Sequence, residues 1–150
     1  MARIRLETVI RAPPERVFDL ARDVDFHARS MAHTRERAVG GRTSGLIELG
    51  EEVEWEARHF GLTLRLRSRI TAMDRPRSFV DEQARGTFRS FVHRHEFTPH
   101  DGGTKMLDDW NHEAPLGFLA DPLFLARYMR KLLVMRNALL KREAESQFGG

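Results

Sequence analysis

The stretch ADPLFLARYMRKLLVMRNALLKRE, Ala120 to Glu143, breaks with the long alternating run before it, because its apolar residues recur by threes and fours instead of by twos. Leu125, Tyr128, Leu132, Met135 and Leu139 form one row, and Met129, Leu133 and Leu140 widen it, which is the pattern of an amphipathic helix. Asp121 is a good N-cap and Pro122 suits the first helical position, where no N–H is needed. Arg127, Arg130, Lys131, Arg136, Lys141 and Arg142 read as its polar side. A helix this long needs a broad apolar surface to cover, and the preceding chain has to supply it.

That chain alternates. Ile4, Leu6, Thr8 and Ile10 share one side of a first strand. In APPERVFDLARDVDFHARSM the prolines open a helical stretch with Val17, Leu20, Ala21 and Val24 at helical spacing, predicting one or two short helices before Thr34. RERAVGGRTSGLIELG reads as a short strand, a turn and the lead-in to another strand. From Glu51 to Ala114 strands and turns alternate, with Gly61, DRPRS, Gly86 and PHDGGT as breaks. Val53, Trp55, Ala57 and His59 face one way and Glu52, Glu54 and Glu56 the other; Leu62, Leu64, Leu66, Ser68 and Ile70 then oppose Arg65, Arg67 and Arg69. Phe79, Asp81 and Gln83 are read as inward, although a slip of one residue would turn Glu82 in instead. Phe91, His93, His95 and Phe97 point together, as do Met106, Asp108, Trp110, His112 and Ala114.

Composition narrows the options. A chain of 150 residues with 41% hydrophobic residues fits one domain, 1–150, with a real core. The absence of cysteine excludes disulfides, thiolate nucleophiles and Cys-type zinc sites and is compatible with the reducing cytoplasm. Charges interrupt every run long enough to span a bilayer, and no signal-peptide core stands at the N-terminus, so a cytoplasmic protein is expected. Lys and Arg exceed Asp and Glu by 25 to 22, a weak footprint for nucleic acid, and none is expected as partner. The arginine stripe reads first as the solvated outer face of a sheet. Oligomeric state is left open.

The order of strand, short helices, antiparallel strands and one long C-terminal helix resembles the START-type, SRPBCC helix-grip fold, an α+β architecture in which a curved sheet wraps around the last helix. IRAPPERVFDLARD resembles its strand-to-helix opening, GGTKMLDDWNHEAPLG its last strand and exit turn, and the final helix its grip helix. GEEVEWEARHFG, RITAMDRPRSFVDEQARGTFRSFVHRHEF and GGTKMLDD are similar to the bacterial ligand-binding branch grouped with polyketide cyclases, dehydrases and lipid-transport proteins. The resemblance implies a cavity between sheet and helix that accepts a small hydrophobic ligand of the lipid, quinone or aromatic polyketide class. It does not imply catalysis.

On these facings the expected wall comprises Trp55, His59, Leu66, Phe79, Asp81, Phe91, Met106, Trp110, His112, Tyr128, Leu132 and Met135. His93, His95 and Asp108 are the candidate acid/base groups, because ionisable side chains in an apolar enclosure have displaced pKa values and can move protons or orient a polar head. His-x-His spacing is common on strands and no helical His-Glu-x-x-His accompanies it, so no metal is expected, and no cofactor. His27, His33 and His100 receive no functional reading. Three functions compete: a ligand carrier or sensor, a cyclase or dehydratase using His and Asp as acid and base, and an interaction module indifferent to any ligand.

Overall fold

The computed structural model describes residues 1–117 and 119–148, the side chains of 147 and 148 excepted. Among these residues the alternating runs become seven strands: β1 Ala2–Ile10, β2 Arg37–Gly41, β3 Glu52–His59, β4 Leu62–Asp74, β5 Ser78–Gly86, β6 Ser90–His100 and β7 Gly103–Glu113. They form one antiparallel sheet in the order β1-β7-β6-β5-β4-β3-β2. Helices α1 (Pro14–Ala21) and α2 (Val24–Ser30), followed by a 3-10 turn at Ala32–Thr34, stand between β1 and β2. The chain closes with α3, Pro122–Phe148. This is the helix-grip arrangement.

Local chemistry explains the boundaries. Asp121 caps α3, its Oδ1 accepting from the N–H groups of Leu123 at 3.0 Å and Phe124 at 3.2 Å. Asp23 does the same for α2 through Asp25 and Phe26. His59 pairs with Leu62, leaving Phe60 and Gly61 as a two-residue turn with φ of 55° and 75°, the left-handed geometry that suits a tight hairpin. The segment after β2 does not become a strand; a single bridge joins Leu46 to Asp23, and Ile47 is buried there.

Bulges curve the sheet. The register shifts between Ala38 and Gly40 opposite β3, and twice in the β4–β5 pairing, at Arg67/Ser68 and at Ile70/Ala72. Gly86, with φ of 147°, lies so close to β4 that a Cβ would stand 2.9 Å from the Leu66 Cα, so only glycine fits where β5 curls over β4. Past Glu82 the β5–β6 ladder ends. The Gln83 side chain substitutes for it, donating to the Phe88 carbonyl at 2.7 Å and accepting from its N–H at 3.1 Å.

The concave face is packed in two clusters. Phe18 of α1 meets Phe79 and Phe97 edge-on at 5.3 Å, among Ile10, Val17, Met106, Leu140 and Ala144. Phe88, Phe91 and Trp110 pack with Leu125 and Leu133 in the other. A cavity opens between them.

Candidate functional site

The cavity has a volume of about 200 Å³ and lies between the middle of the sheet, α2 and the first turns of α3. Ile47, Val53, Trp55, Ala57, Leu66, Ile70, Phe79, Phe91 and Trp110 supply one wall, and Leu125, Tyr128, Met129, Leu132 and Leu133 the other. One group of polar side chains in the lining brings Asp81 of β5 and His93 and His95 of β6 together with Arg136 of α3.

Sheet register builds this polar group. Asp81 stands opposite His93, and His95 opposite Asp108. The hydrogen bonds run along the diagonals instead: His93 Nε2 to Asp108 Oδ1 at 2.8 Å and His95 Nε2 to Asp81 Oδ2 at 2.8 Å. The two imidazoles therefore lean in opposite directions and stack, with centroids 3.7 Å apart. Asn137 of α3 donates to the second oxygen of Asp108 at 2.7 Å. His95 also stacks on Phe79 at 4.1 Å.

Burial and charge set the protonation. Burial lowers the His95 pKa, the nearby His93 adds to this, and Asp81 and Asp108 only partly oppose it; the result is about 4. Burial alone would raise Asp108, but the His93 hydrogen bond and the charges of His93, His95 and Arg136 hold its carboxyl well below the usual range. Asp81 is lowered for the same balance of reasons, with His95 as its hydrogen-bond partner. An ionised carboxylate only accepts, so His93 and His95 donate through Nε2. His95 is then a neutral imidazole whose Nδ1 is buried without a hydrogen-bond partner among the described residues.

Of the sequence-predicted wall residues, Trp55, His59, Leu66, Phe79, Asp81, Phe91, Trp110, Tyr128 and Leu132 line the cavity, and so do His93 and His95. Four expected contacts do not reach it. Met106 is wholly buried in the core beneath α1. His112 is only 1% exposed, its Nδ1 accepting from Trp110 Nε1 at 2.7 Å, so it satisfies an indole instead of a ligand. Met135 precedes Arg136 on α3 and is turned away by about 100°, at the flank of the lining stripe. Asp108 lies behind the histidines with no exposure and touches the cavity only through them. The inward reading of Phe79 and Asp81 holds, while Gln83 is taken up by Phe88.

Three residues escaped the sequence reading. Arg136, assigned there to the polar side of α3, is 4% exposed; its Nη2 donates to the Ala21 carbonyl at 2.9 Å, and Nε and Nη1 have no partner among the described residues. It sits one turn beyond Leu132 and Leu133, so the apolar spacing marked its position even though its charge argued otherwise. Asn137 follows it and is equally buried. His27 also lines the cavity, bonded to Glu36 at 2.9 Å and packed on Trp55 at 4.5 Å. His59 and Tyr128 join β3 to α3 by a hydrogen bond, with burial lowering the histidine and raising the phenol.

A curved sheet gripping a long helix over a cavity with mainly apolar walls and a few convergent polar side chains defines a helix-grip protein of the SRPBCC superfamily. The chain belongs to the polyketide cyclase / dehydrase and lipid transport family, whose model matches residues 1–145. Solved structures share the fold: protein Ms6760 from Mycobacterium smegmatis, 16% identical with a TM-score of 0.72 over 93% of this chain and 88% of that one; TTHA0849 from Thermus thermophilus, 20% identical with a TM-score of 0.70 over 93% and 97%; and major latex-like protein 151 from Panax ginseng, 14% identical with a TM-score of 0.63 over 91% and 95%. The sequence has no match among curated proteins. Among the described residues no helix is long and apolar enough to cross a membrane.

Proposed function

We propose that the protein binds one small hydrophobic or amphipathic molecule in the cavity, as a carrier or sensor, with the apolar body against Trp55, Phe91, Trp110 and Leu132 and a polar group toward His93, His95 and Arg136. The observation that carries this reading is the cavity itself: mainly apolar walls with a few convergent polar side chains, the usual form of a ligand site. Lipids, quinones and aromatic polyketides have the matching chemistry. The cysteine-free composition suits a cytoplasmic setting.

Both tryptophans line the cavity, so a ligand should quench or shift their fluorescence. Titration with a panel of fatty acids, quinones and polycyclic phenols is expected to give saturable binding of one equivalent. Leu132→Trp, which fills the cavity, is expected to weaken it by at least about tenfold, a loss of ~1.4 kcal/mol. If no member of the panel binds, or if the filled variant binds as well as the parent, the reading is wrong.

A second reading has a specific observation behind it. His93 is held by Asp108, itself held by Asn137, and the neutral His95 stands against it, an arrangement able to take a proton from a carbon acid such as a polyketide methylene. For an enzyme of this type His93→Ala, His95→Ala and Asp108→Asn should each abolish turnover while leaving ligand quenching in place; unchanged turnover in all of them rules it out.

A further inference from the structure

Sequence spacing leaves His93 and His95 without a third ligand, but the sheet provides one. Asp81, on the neighbouring strand, brings a carboxylate oxygen to within 4.8 Å of ligand nitrogens from both histidines. We propose that Asp81, His93 and His95 form a binding site for a divalent transition-metal ion of the zinc class, with Asp108 orienting the imidazoles from behind and the remaining coordination position open to the cavity.

The hydrogen bonds already arrange the ligands. His93 donates through Nε2 to Asp108, which leaves the Nδ1 lone pair for a metal. Carboxylates placed behind metal-bound imidazoles in this way fix the tautomer and raise ligand basicity. His95 offers Nε2 beside Asp81 Oδ2 at 2.8 Å, whereas ligand atoms around a zinc-class ion lie about 3 to 3.5 Å apart. Admitting the ion requires the two stacked imidazoles, whose centroids lie 3.7 Å apart, to rotate until their in-plane lone pairs converge beside Asp81. The proton that His95 directs at Asp81 then moves to Nδ1, which is buried, has no hydrogen-bond partner among the described residues and lies 3.5 Å from Asp108 Oδ1. Asp108 would thus serve both imidazoles, with Asn137 occupying its other oxygen.

Donor type and rigidity agree. The donor atoms come from paired strands, Asp81 opposite His93 and His95 opposite Asp108, so the ladder holds their backbones in place. Nitrogen and oxygen donors without thiolate suit Zn²⁺, Co²⁺ or Fe²⁺. The inference does not rest on the hydrophobic-ligand reading and is tested without any such ligand.

The full chain, stripped with chelator, is titrated with Zn²⁺ by calorimetry and with Co²⁺ by visible absorption. One equivalent is expected to bind, with micromolar or tighter affinity. Asp108→Asn should weaken binding about tenfold, Asp81→Asn by more, and His100→Ala, which alters a surface histidine beside Asp101, should leave it unchanged. Because buried substitutions can disturb folding, the parent chain supplies a second readout: Zn²⁺ should shift the ring-nitrogen resonances of His93 and His95 and leave those of His33 and His100 in place. No saturable binding of one equivalent, or shifts confined to the surface histidines, overturns the proposal.

Discussion

The two faces of the sheet carry the same kinds of acid–base pair in opposite surroundings. On the convex face Glu56 of β3 binds Arg37 of β2 at 2.8 Å and Arg65 of β4 at 2.9 Å. Glu52 takes Arg67 and Arg69, and Glu54 takes Arg85 at 3.1 Å. The arginine stripe is thus neutralised by the glutamates of the neighbouring strand. On the concave face Asp81, Asp108, His93 and His95 pair at similar distances with almost no exposure of the histidines and Asp108. Water screens the first set and reaches the second only at Asp81. Distance therefore says little about what a pair contributes; surroundings decide it.

The strongest way to break that comparison is to remove one partner on each face. Asp108→Ala leaves His93 and Asn137 without their acceptor in an apolar interior and is expected to cost about 3 to 5 kcal/mol in urea unfolding. A cost comparable to that of a convex-face truncation would erase the distinction.

Acid should reveal the same asymmetry. His95 has a folded pKa of about 4 against 6.5 when unfolded, so the unfolded state takes up the proton first as pH falls. Stability is complete above 6.5 and declines through the window down to about 4, by about 3 kcal/mol at its foot. Asp81 and Asp108, whose folded pKa values are lowered, keep their contribution above the usual carboxylate range and lose it only at lower pH. Urea midpoints measured with chelator present should slope between pH 6.5 and 4 in the parent, and less in His95→Phe.

Arg22 provides an intermediate point. Its side chain is 7% exposed and bonds Asp19, Glu48 and the Ile47 carbonyl at 3.2 Å. Arg22→Met keeps much of the packing but strands those acceptors, two of which reach water. A loss of about 1.5 to 3 kcal/mol is expected, below that of Asp108→Ala; a larger one would mean that anchoring the segment around Ile47 matters more than burial of charge.

The smallest effect belongs to the exposed ladder. Glu56→Gln should leave the thermal midpoint unchanged within error, and high salt should not alter the parent's midpoint measurably. A clear drop in either experiment would show that the convex network acts as a unit.

Much of this was legible in residue order. Period-two runs, the Asp121-Pro122 start and the helical spacing after it gave the elements, because pleat and helix impose those periods locally. The inward facing of Asp81, His93, His95 and Asp108 was legible for the same reason. The diagonal pairing was not, since alternation assigns a face but no partner. Arg136 and Asn137 were misread or passed over because a charged or polar residue on an otherwise apolar row looks like its edge.

The sequence by itself determined the class of fold, the strand faces and the apolar character of the cavity wall, all of which follow from short-range periodicity and side-chain type. Tertiary structure decided which of those residues reach the cavity, that Met106, His112 and Met135 do not, and that Asp108 stands behind the histidines. Bulges curve the sheet, register sets Asp81 beside β6, and α3 brings Arg136 and Asn137 to the same polar group; each depends on residues far apart in the chain, which local pattern does not encode.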